Sequence, residues 1–180
     1  MPAPPRIRLE PPTGQHSRVF LAAVAASRRM HAGWVSPPDS REAYGTWLER
    51  IGDGSHIGHL IFDAEDELAG VINLGEVIRG GYQSAYLGYY LFDGHEGRGL
   101  MREGLRRVLS RAFGTHGLNR IEARIQPQNL PSRRLLSRLG FRREGFAPRS
   151  VKIGGRWRDH EFWALLAGEW KPGRTPARGG

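Results

Sequence analysis

Residues 86–105 constrain the fold of this chain more than any other stretch, because a strand pattern passes through glycines directly into a helical pattern. Residues 86–91 are strand formers without proline. From Met101 onwards, apolar residues recur every three or four positions, as in an amphipathic helix. Two of the connecting residues, 96–99, are glycines. The first turn of a helix has unpaired N–H groups and a positive dipole end, and glycine lets a ligand approach the backbone. The stretch therefore predicts a phosphate-binding loop.

Two familiar phosphate-binding motifs do not fit this loop. The Walker pattern G-x-x-x-x-G-K-[ST] is absent from the sequence. The dinucleotide pattern G-x-G-x-x-G fails because the glycine that follows Gly97 and Gly99 is Gly104. The acidic residue expected at the end of the next strand is missing too, since the nearest candidate, Glu122, lies inside a predicted strand. From spacing alone, a tight turn before an ordinary helix N-terminus is the alternative to a phosphate site.

Length and composition favour one domain over residues 1–171, followed by a disordered tail at 172–180 that contains prolines, glycines and arginines. The absence of cysteine excludes disulfides, a thiol nucleophile and a thiolate metal site. His56 and His59 do not share a strand face and have no clustered ligands around them, so no metal is expected. No apolar run approaches about 18 residues and the N-terminus lacks a hydrophobic core, so we expect a cytoplasmic protein without a membrane partner.

The formal net charge of +9 at pH 7 favours polyanionic partners. Nearly all of the cations are arginines, since Lys152 and Lys171 are the only lysines. An arginine-rich surface that serves solubility, or a compositional bias, is therefore the alternative explanation of the charge.

The patterns along the chain predict the element order β-αα-βββ-α-β-α-ββ. Strands are predicted at 7–9, 56–62, 67–77, 86–91, 120–125, 141–146 and 158–166, and helices at about 16–30, after Ser40, after Met101 and after Pro131. Thr13 and Ser40 are suitable helix N-caps. Residues 151–155 are predicted to link the last two strands.

The loop resembles motif A of the GNAT superfamily of N-acetyltransferases, whose pattern is Q/R-x-x-G-x-G/A. Residues 96–101 occupy its six positions, and Glu96 and Met101 depart from it. Further segments are similar to the RimJ/RimL branch, which acetylates the N-terminal amines of ribosomal proteins. They are 73–80, 85–90, 96–105, 120–124, 129–132, 139–145 and 154–160. The resemblance implies an α/β (α+β) fold, with a mixed, mostly antiparallel sheet of about seven strands and about four helices on both faces.

The resemblance also implies acetyl-CoA as co-substrate, with no metal. Its pyrophosphate would lie on the backbone of the loop, and its pantetheine arm would pair with the strand before the loop. The residues assigned to this site are Leu91, Phe92, Glu96, Gly97, Arg98, Gly99, Leu100, Met101, Arg102, Asn129 and Ser132. The side chains of Arg98 and Arg102 are expected to add charge-assisted contacts to phosphate groups. Asn129 is either a ligand of the arm, a helix N-cap, or both.

Catalysis is assigned to Ser132, which the resemblance implies, and to Glu76, which is chosen as a substitute for a missing family residue. Many GNAT enzymes protonate the leaving thiolate with a tyrosine, but Leu136 stands at that position and cannot donate a proton. In the RimL-like branch a serine at the Ser132 position is the proposed acid. The RimL-like glutamate that serves as base is replaced by Val151, and Glu76 is the preferred substitute for binding or deprotonating the amine. The alternative for Glu76 is a solvated carboxylate at a strand end. An N-terminal amine has a pKa of about 7.7–8.0, which mildly favours α-amines over lysine side chains as acceptors.

The acceptor is expected to lie near Trp34, Glu76 and Tyr90. The leading hypothesis is acetylation of an N-terminal alanine on ribosomal small-subunit protein five, with ribosome association through the basic surface. One alternative is a small amine such as an antibiotic or polyamine. Another is a non-catalytic module that binds the ribosome or nucleic acid. The glycines of the loop and Asn129 disfavour this last reading, since a binding module would not need a donor site.

Overall fold

Seven strands form one sheet in the computed structural model, which describes residues 7–172. The strands are β1 (Ile7–Glu10), β2 (Ile57–Asp63), β3 (Leu68–Ile78), β4 (Ser84–Leu91), β5 (Arg120–Ile125), β6 (Arg142–Ile153) and β7 (Arg156–Leu166). The helices are α1 (Ser17–Ala26), α2 (Arg28–His31), α3 (Arg41–Gly52), α4 (Leu100–Phe113) and α5 (Leu130–Arg138), with short 3-10 turns at Gly14–His16 and Ala167–Glu169.

The strand order is β1-β2-β3-β4-β5-β7-β6, and the pairing is antiparallel except between β4 and β5, which are parallel. Helices α4 and α5 pack on one face of the sheet, whereas α1 and α3 pack on the other face over β2, β3 and β4. The predicted mixed, mostly antiparallel sheet with helices on both faces is confirmed.

The larger core lies between the sheet and α4. Leu105, Val108 and Leu109 of α4 are fully buried there, as the helical spacing predicted. The alternation predicted for β5 is also observed, because Ile121 and Ala123 enter this core. Burial of each large aliphatic side chain stabilises the fold by about 1.5–3 kcal/mol, so these positions anchor the helix that carries the glycine loop.

The helix predicted at 16–30 is divided into α1 and α2 at Ser27. The Ser27 side chain is buried, and its hydroxyl accepts a hydrogen bond of 2.9 Å from the N–H of Asp93. This bond ties the helix to the loop after β4, 66 residues away in sequence. The break therefore depends on a long-range contact, which local helical periodicity does not reveal.

The hairpin of β6 and β7 is longer than predicted. In the segment 151–155, expected to be a linker, residues 151–153 continue β6, and Gly154 and Gly155 form the turn before β7. Both glycines have positive φ angles, +56° and +77°. Two such residues make a two-residue turn whose twist matches the paired strands, which is why the ladder extends to the hairpin tip.

The parallel ladder between β4 and β5 is short. It pairs Ser84–Leu87 with Arg120–Ala123, and the two strands separate beyond Leu87. The separation opens a gap at the carboxyl end of β4, directly before the glycine loop and α4. Backbone groups on one side of β4 are thereby left without a neighbouring strand.

The predicted tail at 172–180 lies outside the described residues except for Pro172. Within residues 7–172, none of the helices combines the length and the apolar character needed to cross a bilayer.

Candidate active site

The glycine loop ends in a left-handed residue that starts α4. Gly97 and Gly99 have φ angles of +71° and +79°, and Gly99 is the N-cap of the 14-residue helix. A Cβ placed on either glycine would meet nothing within 4 Å, so the space beside these backbone N–H groups is open. Open N–H groups at a helix N-terminus suit a phosphate group.

Arg98 does not extend toward that open space. Its guanidinium donates to Asp63, the last residue of β2, at 2.9 Å and to Glu65, in the connection that follows, at 3.1 Å. The Asp63 side chain is only 1% exposed, so this ion pair anchors the loop to the sheet. The Arg98 guanidinium is therefore already paired with carboxylates, and this does not favour the phosphate contact expected of its side chain. Within residues 7–172 Arg102 makes no ion pair, which leaves its side chain able to reach a phosphate.

Removing the charge of Asp63 is expected to destabilise the protein in a pH-dependent way. Burial alone would raise the pKa of Asp63, but the N–H groups of Glu67 and Glu65 and the Arg98 guanidinium outweigh it and hold the pKa below its ordinary value. A lowered carboxylate pKa stabilises the fold above the unfolded-state pKa of about 3.9, and the contribution is lost as the pH falls through the folded-state pKa. Asp63→Asn should lower the unfolding midpoint at pH 7. The difference from wild type should begin to close below about pH 4 in thermal melts and should vanish below the folded-state pKa of Asp63. A difference that stays constant over this range would contradict the assignment.

The gap between β4 and β5 contains a cavity of about 370 Å³ that we call the donor cavity. Five of the eleven residues predicted for cofactor binding line it, namely Leu91, Glu96, Met101, Asn129 and Ser132. Its lining consists of Met30, His31, Trp34, Val35, Tyr89, Tyr90, Leu91, Glu96, Met101, Gln128, Asn129, Pro131, Ser132 and Leu135. Asn129 also caps α5, since its side-chain oxygen accepts the N–H of Ser132 at 3.2 Å. The N-cap reading of Asn129 is thus observed, and its position in the cavity leaves a ligand role open as well.

Leu91 and Phe92 have different places at this gap. The carbonyl of Leu91 is already hydrogen bonded to Nε2 of His31 at 2.7 Å. The N–H of Phe92 donates to Ala69 of β3 at 2.9 Å, and its ring is buried under α1. Phe92 therefore faces away from the donor cavity, whereas Leu91 lines it. Sequence reasoning missed His31, because a single histidine at a helix end carries no local signal.

Tyr89 is a second residue that sequence reasoning missed. Its hydroxyl is buried and has no hydrogen-bond partner among residues 7–172. The Ser132 side chain lies beside it without completing a hydrogen bond, and burial raises the pKa of Tyr89 to about 12 while Ser132 partly lowers it. A buried hydroxyl without a partner is costly, so its position suggests a bound ligand.

A second cavity of about 480 Å³ adjoins the first, and we call it the acceptor cavity. The two cavities share Trp34, Val35, Tyr89 and Tyr90. The remaining lining of the acceptor cavity is Ser36, Pro37, Asn73, Gly75, Tyr86, Leu87, Gly88, Arg124, Val151, Lys152, Ile153 and His160. The structure thus brings two of the predicted acceptor residues, Trp34 and Tyr90, to the junction.

Glu76 lies outside the lining of both cavities. It is exposed, with a φ of +49°, at the point where the register between β3 and β4 shifts. Burial lowers the pKa of His56, and the Glu76 carboxylate offsets this in part, so the two side chains are near each other. Val151, which stands in place of the RimL-like glutamate, does line the acceptor cavity and offers no proton acceptor there.

One group of side chains has the spacing of metal ligands. Asp63, Glu67 and His95 place ligand atoms within 4.8 Å of one another. Asp63, however, is already bonded to Arg98 and to backbone N–H groups. The contacts of Asp63 therefore explain this group of side chains as part of the anchor that holds the glycine loop.

Comparison with known proteins identifies the family of this chain. The family model of the acetyltransferase (GNAT) domain matches residues 6–142. YjcK of Bacillus subtilis (strain 168), a probable N-acetyltransferase, is 46% identical over 112 residues, which are 62% of this chain and 61% of YjcK. The [ribosomal protein uS5]-alanine N-acetyltransferase of Escherichia coli (strain K12) is 36% identical over 159 residues, 83% of this chain and 82% of that protein. The structure of Mycobacterium smegmatis RimJ in complex with CoA-disulfide has a TM-score of 0.83 and 26% identity, and the match covers 91% of this chain and 83% of that one.

The chain therefore belongs to the GNAT acetyltransferase family and is an acetyl-CoA-dependent N-acetyltransferase. Its relatives include the RimJ-type enzymes, as the motifs indicated. The match to YjcK spans less than two thirds of that protein's length.

Proposed function

We propose that this enzyme transfers the acetyl group of acetyl-CoA to the α-amine of a ribosomal protein that begins with alanine, of the small-subunit protein five type. The observation that carries the proposal is the junction of the donor and acceptor cavities at Tyr89 and Tyr90. A thioester entering from one side and an amine entering from the other would meet there. The uS5-directed activity of the E. coli relative supports the choice of acceptor. A net charge of +9 and a cytoplasmic location would both be compatible with a substrate on or near the polyanionic ribosome.

Donor binding is proposed to use the backbone more than side chains. The N–H groups of residues 97–101 would hold the pyrophosphate, and Arg102 would add a charged contact. Leu91, Glu96 and Asn129 would line the path of the pantetheine arm. A ligand in this gap would occupy the place of the strand that β4 lacks beyond Leu87.

The proposed chemistry is direct attack within a ternary complex. The neutral amine nitrogen attacks the thioester carbonyl carbon, the C–S bond breaks, the amine loses one proton, and the thiolate gains one. Ser132 is proposed to protonate the thiolate, with the Tyr89 hydroxyl beside it as a second donor. A buried phenol with a pKa of about 12 stays protonated at neutral pH and can donate a hydrogen bond.

Deprotonation of the amine is proposed to need no side chain. An α-amine with a pKa of about 7.7–8.0 is partly neutral at working pH, whereas a lysine amine at about 10.4 is not. Among residues 7–172, neither cavity places a carboxylate near the junction except Glu96, which lines the donor side. The remaining role proposed for Glu76, which is exposed next to the lining residue Gly75, is to attract an incoming ammonium group.

Glu76→Gln is accordingly expected to change kcat/KM by no more than about threefold, because an exposed rim charge contributes little. The pH profile of kcat/KM with an alanine peptide should rise with an apparent pKa of about 7.7–8.0, that of the acceptor itself. Steady-state assays between pH 6 and 9 would measure both. A loss of about a hundredfold, or a profile that shifts with the substitution, would instead make Glu76 the general base.

The direct test of the acceptor is acetylation of a peptide that begins with alanine and also contains an internal lysine. Tandem mass spectrometry should locate the acetyl group on the α-amine. The same peptide with a blocked N-terminus should not react. Acetylation of the lysine side chain, or of spermidine in preference to the peptide, would contradict the proposal.

A further inference from the structure

We infer that the acceptor cavity selects amines that carry a carboxylate close by, so that the preferred protein N-termini have aspartate or glutamate within their first few residues. The inference rests on the proposed function and narrows the class of protein N-termini that the enzyme would accept. It comes from the charges that surround the acceptor cavity.

The lining of the acceptor cavity carries positive charge without compensating acids. Arg124 and Lys152 line it, and none of the described residues in its lining is an aspartate or glutamate. Neither cation makes an ion pair within residues 7–172. The Arg124 guanidinium instead lies over the Phe162 ring at 4.3 Å and the Tyr86 ring at 5.1 Å. Nη2 of Arg124 also donates to the Tyr86 hydroxyl at 3.4 Å. Stacking of this kind fixes the guanidinium plane and leaves the other N–H groups for an incoming anion.

Arg158 adds a third cation at the edge of the same cavity. It pairs in register with the lining residue Val151, and its guanidinium reaches Gly33, next to Trp34. Its Nε is buried and has no hydrogen-bond partner in the described part of the chain. An unpaired buried guanidinium N–H is costly, and a carboxylate would satisfy it in the two-point geometry that arginine favours.

The nearby acids are committed elsewhere. Glu122, on the same strand as Arg124, is bonded to Arg120 at 2.7 Å. Asp159 accepts the backbone N–H of Arg149 at 2.8 Å. Glu76 follows the lining residue Gly75 but is exposed outside the lining. Burial lowers the pKa of His160, and Arg124 lowers it further, so this lining residue adds no charge at neutral pH.

The electrostatics of this cavity disfavour a polycation. Like charges held close together near a protein surface repel each other, so each additional ammonium group beside Arg124 or Lys152 opposes binding. A polyamine presents only such groups. A peptide N-terminus followed by a carboxylate presents one reactive amine and one partner for the cations.

The test compares three acceptor peptides that share an N-terminal alanine and differ only at residues three and four, which are glutamate, glutamine or lysine. We expect kcat/KM to fall in that order, with about a tenfold or larger difference between the acidic and basic peptides at low salt. The difference should shrink as salt is raised, since the screening length falls to about 10 Å at 0.1 M. Arg124→Gln and Lys152→Gln should each reduce the difference. Arg111→Gln is the matched control, because it removes an exposed arginine of α4 on the opposite face of the sheet and should leave the difference unchanged.

Equal kcat/KM for the three peptides would overturn the inference and leave the proposed function intact. A difference that Arg124→Gln and Lys152→Gln leave as large as in wild type would also overturn it, because the selection would then come from elsewhere. Preferential acetylation of spermidine would overturn the inference and the proposed function together.

Discussion

Gly99→Trp is expected to raise the KM for acetyl-CoA by about a hundredfold or more, because the indole would fill the space beside the N–H groups that start α4. Hydrogen bonds to a charged group are worth about 1.5–3 kcal/mol each, and losing two of them corresponds to about a hundredfold or more. Steady-state kinetics at saturating acceptor would measure the effect.

The matched control for this substitution is Gly80→Trp. Gly80 also has a positive φ angle, +66°, and open space around it, but it lies in the turn between β3 and β4. Both variants carry the same backbone strain, of the order of 1–3 kcal/mol. Gly80→Trp should keep its KM for acetyl-CoA. If the two variants lose affinity equally, strain rather than occlusion explains the loss, and the loop is not the phosphate site.

The double variant Ser132→Ala with Tyr89→Phe is expected to lower kcat by about 10²–10⁴, the range that general acid catalysis contributes. Each single variant should lose less, because the remaining hydroxyl stays beside the reacting sulfur. KM for acetyl-CoA should change little, since neither hydroxyl is proposed to hold the phosphates. Stopped-time assays of free CoA over a range of acetyl-CoA concentrations would separate kcat from the KM for acetyl-CoA.

Tyr44→Phe is the control for deleting a buried phenol. The Tyr44 hydroxyl donates to the carbonyl of Thr13 at 2.9 Å and lines neither the donor nor the acceptor cavity. Its loss should lower stability by about 1 kcal/mol and leave kcat unchanged. A double variant of Ser132 and Tyr89 that retains wild-type kcat would show that neither residue protonates the thiolate.

Local patterns in the sequence predicted the elements that position this site. The change of period at Met101 predicted α4, and the alternation at 120–125 predicted β5 with the correct buried residues. These elements are specified by which face meets the core, and this information lies within a few neighbouring residues. The positive φ angles of Gly97 and Gly99 likewise follow from glycine at a helix start.

The parts that sequence did not predict depend on contacts between distant residues. Arg98 is drawn to Asp63, 35 residues earlier, and so does not face the open space of the loop. His31 reaches the carbonyl of Leu91 across 60 residues. That the Tyr89 hydroxyl has no partner among residues 7–172 is visible only when the neighbours of its side chain are known. Local periodicity describes the face on which a side chain lies, but not the partner that it finds there.

The central claim is that the gap beside the glycine loop binds acetyl-CoA, and a thermal melt of the wild-type protein with and without acetyl-CoA tests it most directly. Binding to the folded state alone should stabilise it by about 2.7 kcal/mol at a hundredfold excess over Kd. For a domain of this size, that corresponds to a rise in Tm of about 5–11 °C. The rise should be present in Gly80→Trp and absent in Gly99→Trp. An unchanged Tm for the wild-type protein at millimolar acetyl-CoA would contradict the claim.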